Sequence, residues 1–422
     1  MKNIDTICVQ EGYKPKQGEA RVTPIVQSTT FLYEKAGDMA DLFDLKANGY
    51  FYTRLANPTV AVLENKLTAL EGGSCAICTS SGMSATLFAV LTVCHAGDNI
   101  VSSSAVYGGT FNLFDVTLRK LGIETRFFNP DDTEENIDKL VDDNTKIIFT
   151  ETLANPSIVV LDFDKIERIA KRHKVLFAVD NTLVTGALCR PFELGANVIC
   201  YSTSKYIDGH AVALGGAVID GGNFDFKGNA RYKDFNEPDE SYHGLVYADL
   251  GKTAFGTKCR AQIMRDLGAM MSPQNAFLTN LGCETLGLRM AKHSENAKKV
   301  AKFLAEQDKV EWVKHPSLPN DKYHDLAEKY LPDGQGGMMS FGLSGGKQNA
   351  VKFMEALKMI GIETHVADAR SCILHPASTT HRQLSDQALI NCGISPNLLR
   401  LSVGIENAED IIADIRQALE KI

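Results

Sequence analysis

The stretch "Asn197-Val-Ile-Cys-Tyr201-Ser-Thr-Ser-Lys205" joins a short apolar run to a lysine that stands among small hydroxyl residues. A short run rich in β-branched and aromatic residues is typical of a buried strand. Three further runs, which begin at Asn99, Lys146 and Val175, are separated from one another by helical patterns. This alternation predicts an α/β protein whose mostly parallel sheet is covered by helices.

Ligands of such sheets bind beyond the carboxyl ends of the strands. The residues that follow the apolar runs are therefore the first candidates for a binding site. They are Tyr107, Asn155, Asp180 and the stretch from Ser202 to Lys205.

The helical pattern between Asn57 and Gly72 carries its own boundary signals. Asn57 can cap the first turn, Pro58 suits that turn, and Gly72 can end the helix. The apolar residues on one face are Val60, Leu63, Leu67 and Leu70.

Changes of pattern along the chain predict three parts. Residues 1–60 are irregular and rich in Thr, Tyr and Gly, which indicates an N-terminal arm. Residues 61–258 hold the alternating runs and form the predicted large domain. Residues 259–422 begin with one long helical pattern and then mix strands with helices, which predicts a smaller α+β domain with an antiparallel sheet.

The composition excludes several classes of protein. The net charge of −8 comes from 52 acidic and 44 basic residues without a long basic run, so we expect no nucleic-acid partner. No apolar stretch approaches the roughly 20 residues that span a bilayer, and the first residues lack the apolar core of a signal peptide. These features predict a soluble, cytoplasmic protein whose ten scattered cysteines are reduced.

Two groupings could suggest a metal or redox site. The pair Cys75 and Cys78 could form a redox dithiol, but without a second pair core packing is the better interpretation. His375 and His381 have neither helical spacing nor accompanying acidic residues. We expect no metal ion.

Lys205 can be catalytic because a partly desolvated ε-amine loses its proton readily and attacks carbonyl carbons. Most lysines are solvated and form ion pairs, so the residues around Lys205 must show whether it is catalytic. Ser202 and Ser204 place hydroxyl groups on both sides of it, and the stretch Ser80 to Leu91 predicts a glycine-containing turn that opens a helix. The free N–H groups of such a helix start can hold a phosphate, although serine-rich starts are also ordinary caps.

Asp180 ends the run Val175-Leu-Phe-Ala-Val and is either a turn residue or a partner for a pyridine nitrogen. A lysine, flanking hydroxyls, a phosphate-binding helix start and a strand-end aspartate together indicate pyridoxal 5′-phosphate. The chain has neither G-x-G-x-x-G nor G-x-x-x-x-G-K-[ST], which argues against a nucleotide cofactor.

At these residues the sequence resembles the Cys/Met-metabolism family of pyridoxal-phosphate enzymes, which have the fold type I of PLP-dependent transferases. The likeness covers nearly the whole chain and rests on seven motifs in the family's order. They are Tyr52-Thr-Arg-Leu-Ala-Asn-Pro-Thr, Ser81-Gly-Met, Val106-Tyr-Gly, Asp180-Asn-Thr, Ser202-Thr-Ser-Lys-Tyr-Ile-Asp-Gly-His, His375-Pro-Ala-Ser-Thr-Thr-His and Leu399-Arg-Leu-Ser-Val-Gly.

The resemblance implies a role for each residue of the cofactor site. Lys205 would bond covalently to the cofactor aldehyde, Asp180 would pair with the ring nitrogen, and Tyr107 would stack on the ring and act as an acid or base. Asn155 would touch the ring hydroxyl. The phosphate would be held by Ser81, Gly82, Met83, Ser202 and Ser204.

The resemblance also implies a second subunit and a substrate site. Tyr52 and Arg54 would reach the cofactor of a neighbouring subunit, and Tyr52 would also lie near the substrate. The two subunits would form a catalytic dimer, and two such dimers would form a homotetramer. The alternative for Arg54 is an ordinary surface arginine. Arg400 would bind the substrate α-carboxylate, or it forms an ion pair at a strand end. His365-Val-Ala367-Asp departs from the usual Asn-Val-Gly-Asp or Ser-Leu-Gly-Asp, so His365 either alters carboxylate binding or only packs.

Two local features select a branch of the family. Methionine γ-lyases have a cysteine two residues after the stacking tyrosine, where this chain has Gly109. The segment from Gly221 to Tyr247 resembles an expansion in O-acetylhomoserine sulfhydrylases, although a flexible surface insertion is the alternative. We therefore expect γ-replacement of acetate on O-acetyl-L-homoserine by sulfide or methanethiol, in methionine biosynthesis. A methionine or cystathionine γ-lyase and a non-catalytic, PLP-binding regulator are the alternatives.

Overall fold

The computed structural model of the chain describes residues 2–379, 382 and 395–422, in which the strands form a seven-stranded and a five-stranded sheet. The strands of the larger sheet are β1 (Cys75–Thr79), β2 (Asn99–Ser103), β3 (Glu124–Phe128), β4 (Thr145–Glu151), β5 (Leu176–Asp180), β6 (Val198–Tyr201) and β7 (Gly216–Asp220). Those of the smaller sheet are β8 (Val310–Lys314), β9 (Met338–Leu343), β10 (Gly361–Ile362), β11 (Cys372–Leu374) and β12 (Leu398–Ser402).

The larger sheet has the order β1-β7-β6-β5-β4-β2-β3. The five strands from β6 to β3 in this order are parallel, whereas β7 is antiparallel to both of its neighbours. The predicted mostly parallel sheet is thus confirmed. The apolar runs identified in the sequence are β2, β4, β5 and β6; β1, β3 and β7 were missed, because their strand conformation depends on pairing with distant segments.

Helices cover both faces of this sheet, as β5 shows. Phe177 and Val179 belong to the core on one face, and Leu176 and Ala178 to the core on the other. Side chains alternate between the faces of a strand, so a strand buried on both sides is apolar at every position. Full burial of a large apolar side chain stabilises the fold by about 1.5–3 kcal/mol, and the sheet therefore gives its polar strand ends a rigid support.

The helices fall between and around the strands. The α-helices of eight or more residues are Ala36–Phe43, Pro58–Glu71, Gly82–Leu91, Phe163–His173, Pro273–Glu284, Leu286–Ala305, Gly346–Ala356 and Ala408–Leu419. Shorter α-helices are Ile4–Gln10, Gly108–Asn112, Glu134–Asp138, Thr185–Leu188, Lys233–Asn236, Ala254–Lys258, Arg265–Leu267 and His324–Tyr330. No helix of these described segments is long and apolar enough to cross a membrane.

The boundary signals of the helix Pro58–Glu71 act as predicted. The Asn57 side chain accepts a hydrogen bond from the Thr59 N–H, and Gly72 ends the helix at a φ of 75°. A positive φ strains residues with a Cβ, which is why glycine stands there.

The smaller sheet has the order β10-β11-β12-β9-β8 and is antiparallel except for the two-residue pairing of β10 with β11. The long helical pattern before it forms two helices, Pro273–Glu284 and Leu286–Ala305, which meet at Thr285. The first of them packs against Pro58–Glu71. The division into 1–60, 61–258 and 259–422 stays a prediction.

The described cysteines are free thiols, and all except Cys75 are buried. Cys75 and Cys78 lie on β1, where Cys78 belongs to the core. Within the described residues no group of three or more His, Cys, Asp or Glu side chains could hold a metal ion. His381 and Cys392 lie outside the described residues.

Candidate active site

The carboxyl ends of β4, β5 and β6 meet the start of the helix Gly82–Leu91 around a cavity of about 500 Å³. Residues from both sheets line it. The sequence-predicted residues that the fold brings together here are Ser81, Gly82, Met83, Tyr107, Asn155, Asp180, Ser202, Ser204, Lys205, His365 and Arg400.

One end of the cavity is a turn with free N–H groups. Ser81 caps the helix, and its Oγ accepts a hydrogen bond from the Ser84 N–H at 3.1 Å. A Cβ built on Gly82 would lie 2.7 Å from the Ser202 Cβ, so only glycine allows this approach of the helix to the end of β6. The first N–H groups of a helix have no partner within it and carry partial positive charge, so this end suits an anion.

Ser202 and Ser204 differ in how their polar groups are used. The Ser202 N–H donates to the Thr182 Oγ1 at 2.8 Å. The Ser204 Oγ already exchanges hydrogen bonds with the backbone of Gly215, at 2.9 and 3.2 Å. Thr182, which the sequence analysis missed, thus joins the ends of β5 and β6.

Asp180 ends β5 with its carboxylate at the cavity. Its Oδ1 accepts a hydrogen bond from the Thr182 N–H at 2.9 Å. Burial raises the pKa of Asp180 to about 6. A cationic partner in the cavity would favour the ionised carboxylate, in the way that an opposite charge lowers the pKa of a carboxyl group.

Glu151 is a second buried carboxyl group that the sequence analysis missed. It ends β4 directly beside Asp180 in the sheet register. Burial and the charge of Asp180 raise the pKa of Glu151 well above its usual value. Its Oε1 accepts the Tyr107 N–H at 2.5 Å and so fixes the loop that carries the half-exposed Tyr107 ring. The signal was available, since Glu151 follows an apolar run as Asp180 does.

Lys205 lies in the cavity with its Nζ 3.1 Å from the Nδ1 of His365. Burial, and then the nearby Arg400 guanidinium, lower the pKa of Lys205 below its usual value. Both causes favour the neutral amine, which is the nucleophilic form.

Arg400 reaches the cavity from β12 of the smaller sheet. Its guanidinium donates to the carbonyl oxygens of Thr364 and His365, at 3.1 and 3.4 Å. The Nε of Arg400 is buried and has no hydrogen-bond partner among the described residues. A buried donor without a partner is costly, so this atom indicates a ligand that carries an acceptor.

Tyr52 and Arg54 do not line the cavity formed by the described residues. The Arg54 guanidinium lies 5.1 Å from the centre of the Tyr52 ring and donates to the Arg265 carbonyl oxygen. Their predicted place beside a neighbouring subunit's cofactor stays a prediction.

The residues present fit pyridoxal 5′-phosphate. The Oδ1 of Asn155 is buried without a hydrogen-bond partner in the described part of the chain, as the acceptor of a ring hydroxyl would be before binding. The helix start suits the phosphate, Asp180 suits a pyridinium nitrogen, and Lys205 suits the aldehyde. The fold and this site together define a fold type I enzyme that uses pyridoxal phosphate.

Comparison with known proteins gives the same class. The family model described as "Cys/Met metabolism PLP-dependent enzyme" matches residues 5–420. The chain belongs to this family, and the predicted cofactor is confirmed.

Individual relatives are similar over their whole length. The chain is 42% identical to a homocysteine synthase of Schizosaccharomyces pombe over 99% of this chain and 98% of the relative. It is 42% identical to an O-acetyl-L-homoserine sulfhydrylase of Leptospira meyeri over 99% of this chain and 97% of the relative.

A solved structure of a putative O-acetylhomoserine (thiol)-lyase from Campylobacter jejuni superposes with a TM-score of 0.96 at 40% identity, over 99% of this chain and 100% of that one. That protein carries N′-pyridoxyl-lysine-5′-monophosphate at its position 205.

Proposed function

We propose that this chain replaces the acetate of O-acetyl-L-homoserine with a sulfur nucleophile, so that sulfide gives L-homocysteine and methanethiol gives L-methionine. The full-length identity of 42% to proteins named homocysteine synthase and O-acetyl-L-homoserine sulfhydrylase supports this reaction. The observation that carries it is the meeting of the Lys205 amine and the unpartnered Arg400 guanidinium nitrogen in one cavity. An amino-acid substrate needs both a proton carrier and a carboxylate partner.

Pyridoxal phosphate, when bound, supplies an electron sink for the electron pair that a departing Cα proton leaves behind. Asp180 would pair with the ring nitrogen and favour its protonated form. The N–H groups at Gly82 and Met83, with Ser81 and Ser202, would hold the phosphate, and Asn155 would bond the ring hydroxyl. Ser204 would join them only by giving up its hydrogen bonds with Gly215.

The chain's own side chains move the protons. Lys205, with its pKa lowered by burial, takes protons from Cα and Cβ of the substrate and later donates protons to Cβ and Cα. Tyr107, once its phenol has lost its proton, is placed to accept the substrate ammonium proton. It must release that proton before it can accept the proton of the thiol. Arg400 holds the α-carboxylate as a planar fork.

We test the reaction by incubating purified protein with O-acetyl-L-homoserine and either sulfide or methanethiol, and by identifying the amino acid that forms. Lys205→Ala is expected to reduce product formation at least about a hundredfold, since the general acid–base group is lost. Release of 2-oxobutanoate and ammonia without added sulfide would instead identify a γ-lyase. Binding of the cofactor and of O-acetyl-L-homoserine with no product from either nucleophile would identify a regulator.

We also propose that the enzyme acts in methionine biosynthesis in the cytoplasm, where buried free thiols such as those described remain reduced. A homotetramer built from two catalytic dimers is consistent with Tyr52 and Arg54 lying outside their own cavity. Several exposed apolar side chains in the N-terminal segment, Val22, Ile25 and Leu32, support contact of this segment with another subunit.

Shared sites predict complementation between two inactive variants. In a dimer of one Lys205→Ala and one Arg54→Ala subunit, one site keeps both residues. Equal amounts co-expressed are then expected to recover about a quarter of the wild-type activity. No recovery, in preparations shown to contain mixed dimers, would place Arg54 in its own subunit's site or outside any site.

A further inference from the structure

His365 is held in place by its own backbone. Its carbonyl oxygen accepts hydrogen bonds from the Cys372 thiol at 3.1 Å and from the Arg400 guanidinium at 3.4 Å. The imidazole thereby points into the cavity, where its side chain is 22% exposed. The residue that departs from the family's usual Asn or Ser is thus fixed at the centre of the site.

The two ring nitrogens of His365 face different partners. Nδ1 lies 3.1 Å from the Nζ of Lys205. Nε2 is buried without a hydrogen-bond partner among the described residues, and the Asp368 carboxylate lies 3.9 Å away. A carboxylate on this side favours the tautomer with hydrogen on Nε2, which leaves Nδ1 as the acceptor toward the lysine.

We propose that His365 is the proton relay of Lys205: it orients the amine through Nδ1 and carries protons from it to water. This inference rests on the proposed function, in which Lys205 takes the Cα and Cβ protons. After such a step the Lys205 ammonium gives one proton to the neutral Nδ1, which restores the neutral amine and leaves an imidazolium. The imidazolium then releases the proton on Nδ1 to water in the cavity and keeps the hydrogen on the buried Nε2. No electrons are exchanged, and the protons balance.

The charges around the imidazole suit this role. The titratable groups around His365 come from four segments. Lys205 and Asp208 belong to the segment after β6, and Asp368 and Arg370 to the loop that carries His365 itself. Arg400 on β12 and Cys372 on β11 contact the His365 carbonyl oxygen. Burial, and then the charge of Lys205, lower the pKa of His365, so the ring is neutral at neutral pH and can accept a proton. Asn or Ser at this position can accept a hydrogen bond but cannot carry a proton, which makes His365→Asn the sharpest variant.

The contact is tested first without cofactor or substrate. In apoprotein with ¹⁵N-labelled histidine, the pKa of His365 is expected to lie below its usual value and to rise in Lys205→Met, because a neighbouring cation is removed. His210 is the control, because its Nδ1 bonds the Asp208 carbonyl of its own segment and not Lys205. An unchanged pKa of His365 in Lys205→Met would overturn the proposal, whatever reaction the enzyme catalyses.

The relay is tested in the holoenzyme by the deuterium content of methionine formed from O-acetyl-L-homoserine and methanethiol in D₂O. Wild-type enzyme is expected to incorporate deuterium at Cα and Cβ, whereas His365→Asn retains substrate protons and loses about tenfold or more in kcat. The KM for O-acetyl-L-homoserine is expected to change less than about threefold, as for a residue that does not bind substrate. Wild-type deuterium content and kcat in His365→Asn would refute the relay, and so would a large rise in KM with kcat unchanged.

A failure of the proposed function would look different. Wild-type enzyme that forms neither homocysteine nor methionine would refute the reaction, while the titration of His365 in apoprotein would still decide the contact.

Discussion

Gly82 and Ser202 approach each other closely in the candidate site, and this contact gives a prediction whose size follows from the structure. A Cβ at position 82 would lie 2.7 Å from the Ser202 Cβ and 2.8 Å from its Cα. Carbon atoms in favourable contact are about 3.5–4.0 Å apart, so Gly82→Ala must move the helix start and the end of β6 further apart by about 0.8 Å or more. Because the Cα belongs to the backbone, rotation of a side chain cannot relieve the overlap.

Overpacking of this kind costs typically about 1–3 kcal/mol. The helix Gly82–Leu91 must also move away from the end of β6, which opens the proposed phosphate site between them. We therefore expect Gly82→Ala to lower the free energy of unfolding of apoprotein by about 1–3 kcal/mol. We also expect its affinity for pyridoxal phosphate to fall about tenfold for each 1.4 kcal/mol of lost binding energy.

Gly37→Ala is the matched control. Gly37 lies in the first turn of the helix Ala36–Phe43, and its added Cβ would meet no described atom within 4 Å. Replacing a helical glycine with alanine is expected to stabilise the protein by up to about 1 kcal/mol and to leave cofactor binding unchanged. Urea unfolding of apoprotein and titration with pyridoxal phosphate measure both effects. Wild-type stability and affinity in Gly82→Ala would show that the helix start is not rigidly held against β6.

Three further predictions concern charge, pH and backbone strain. Arg400→Lys is expected to raise the KM for O-acetyl-L-homoserine about tenfold to a hundredfold, because a charge-assisted hydrogen bond contributes about 1.5–3 kcal/mol; an unchanged KM in steady-state kinetics would remove Arg400 from carboxylate binding. Burial raises the pKa of Asp180 to about 6. Between about pH 4 and 6 the Asp180 carboxyl group therefore binds more protons in native apoprotein than in the unfolded chain, and the free energy of unfolding falls as the pH rises through this range. Asp180→Asn is therefore expected to gain stability over wild type at pH values above about 6 and not below about 4, in urea unfolding of both apoproteins; a difference independent of pH would contradict this. Ala367 has a φ of 65° where relatives usually have glycine. Ala367→Gly is therefore expected to increase the free energy of unfolding by about 0.5–1 kcal/mol and so to raise the melting temperature. A lower melting temperature would show that this φ is not strained.

Much of the seven-stranded sheet could be predicted because local signals and tertiary structure agree there. The runs that became β5 and β6 are apolar at every position, and their last residues lead directly to Asp180 and Lys205. The strand β7 was not predicted, although it lies between β1 and β6. A short strand has no local hydrogen bonds of its own, so its partners must be known before it can be recognised.

The candidate site divides in the same way. Glu151 follows an apolar run and could have been predicted from that position, as Asp180 was. The role of Thr182 could not be predicted in this way, since its Oγ1 accepts a hydrogen bond from the N–H of Ser202, twenty residues further along the chain. From sequence, His365 either altered carboxylate binding or only packed. The structure adds a contact between its imidazole and Lys205 in the cavity, and an effect on carboxylate binding stays a prediction.

The sequence by itself determined which residue types stand at the ends of the strands, because each type follows a run that hydrophobic burial makes into a strand. These residue types indicated the cofactor, and the resemblance of seven ordered motifs indicated the family. Only the tertiary structure decided which of those residues meet. Arg400 comes from β12 of the smaller sheet and His365 from the loop between β10 and β11. Both reach Lys205, which lies 195 and 160 residues earlier in the chain. Contacts over such separations depend on how two sheets pack against each other, and neither helical nor strand periodicity carries that information.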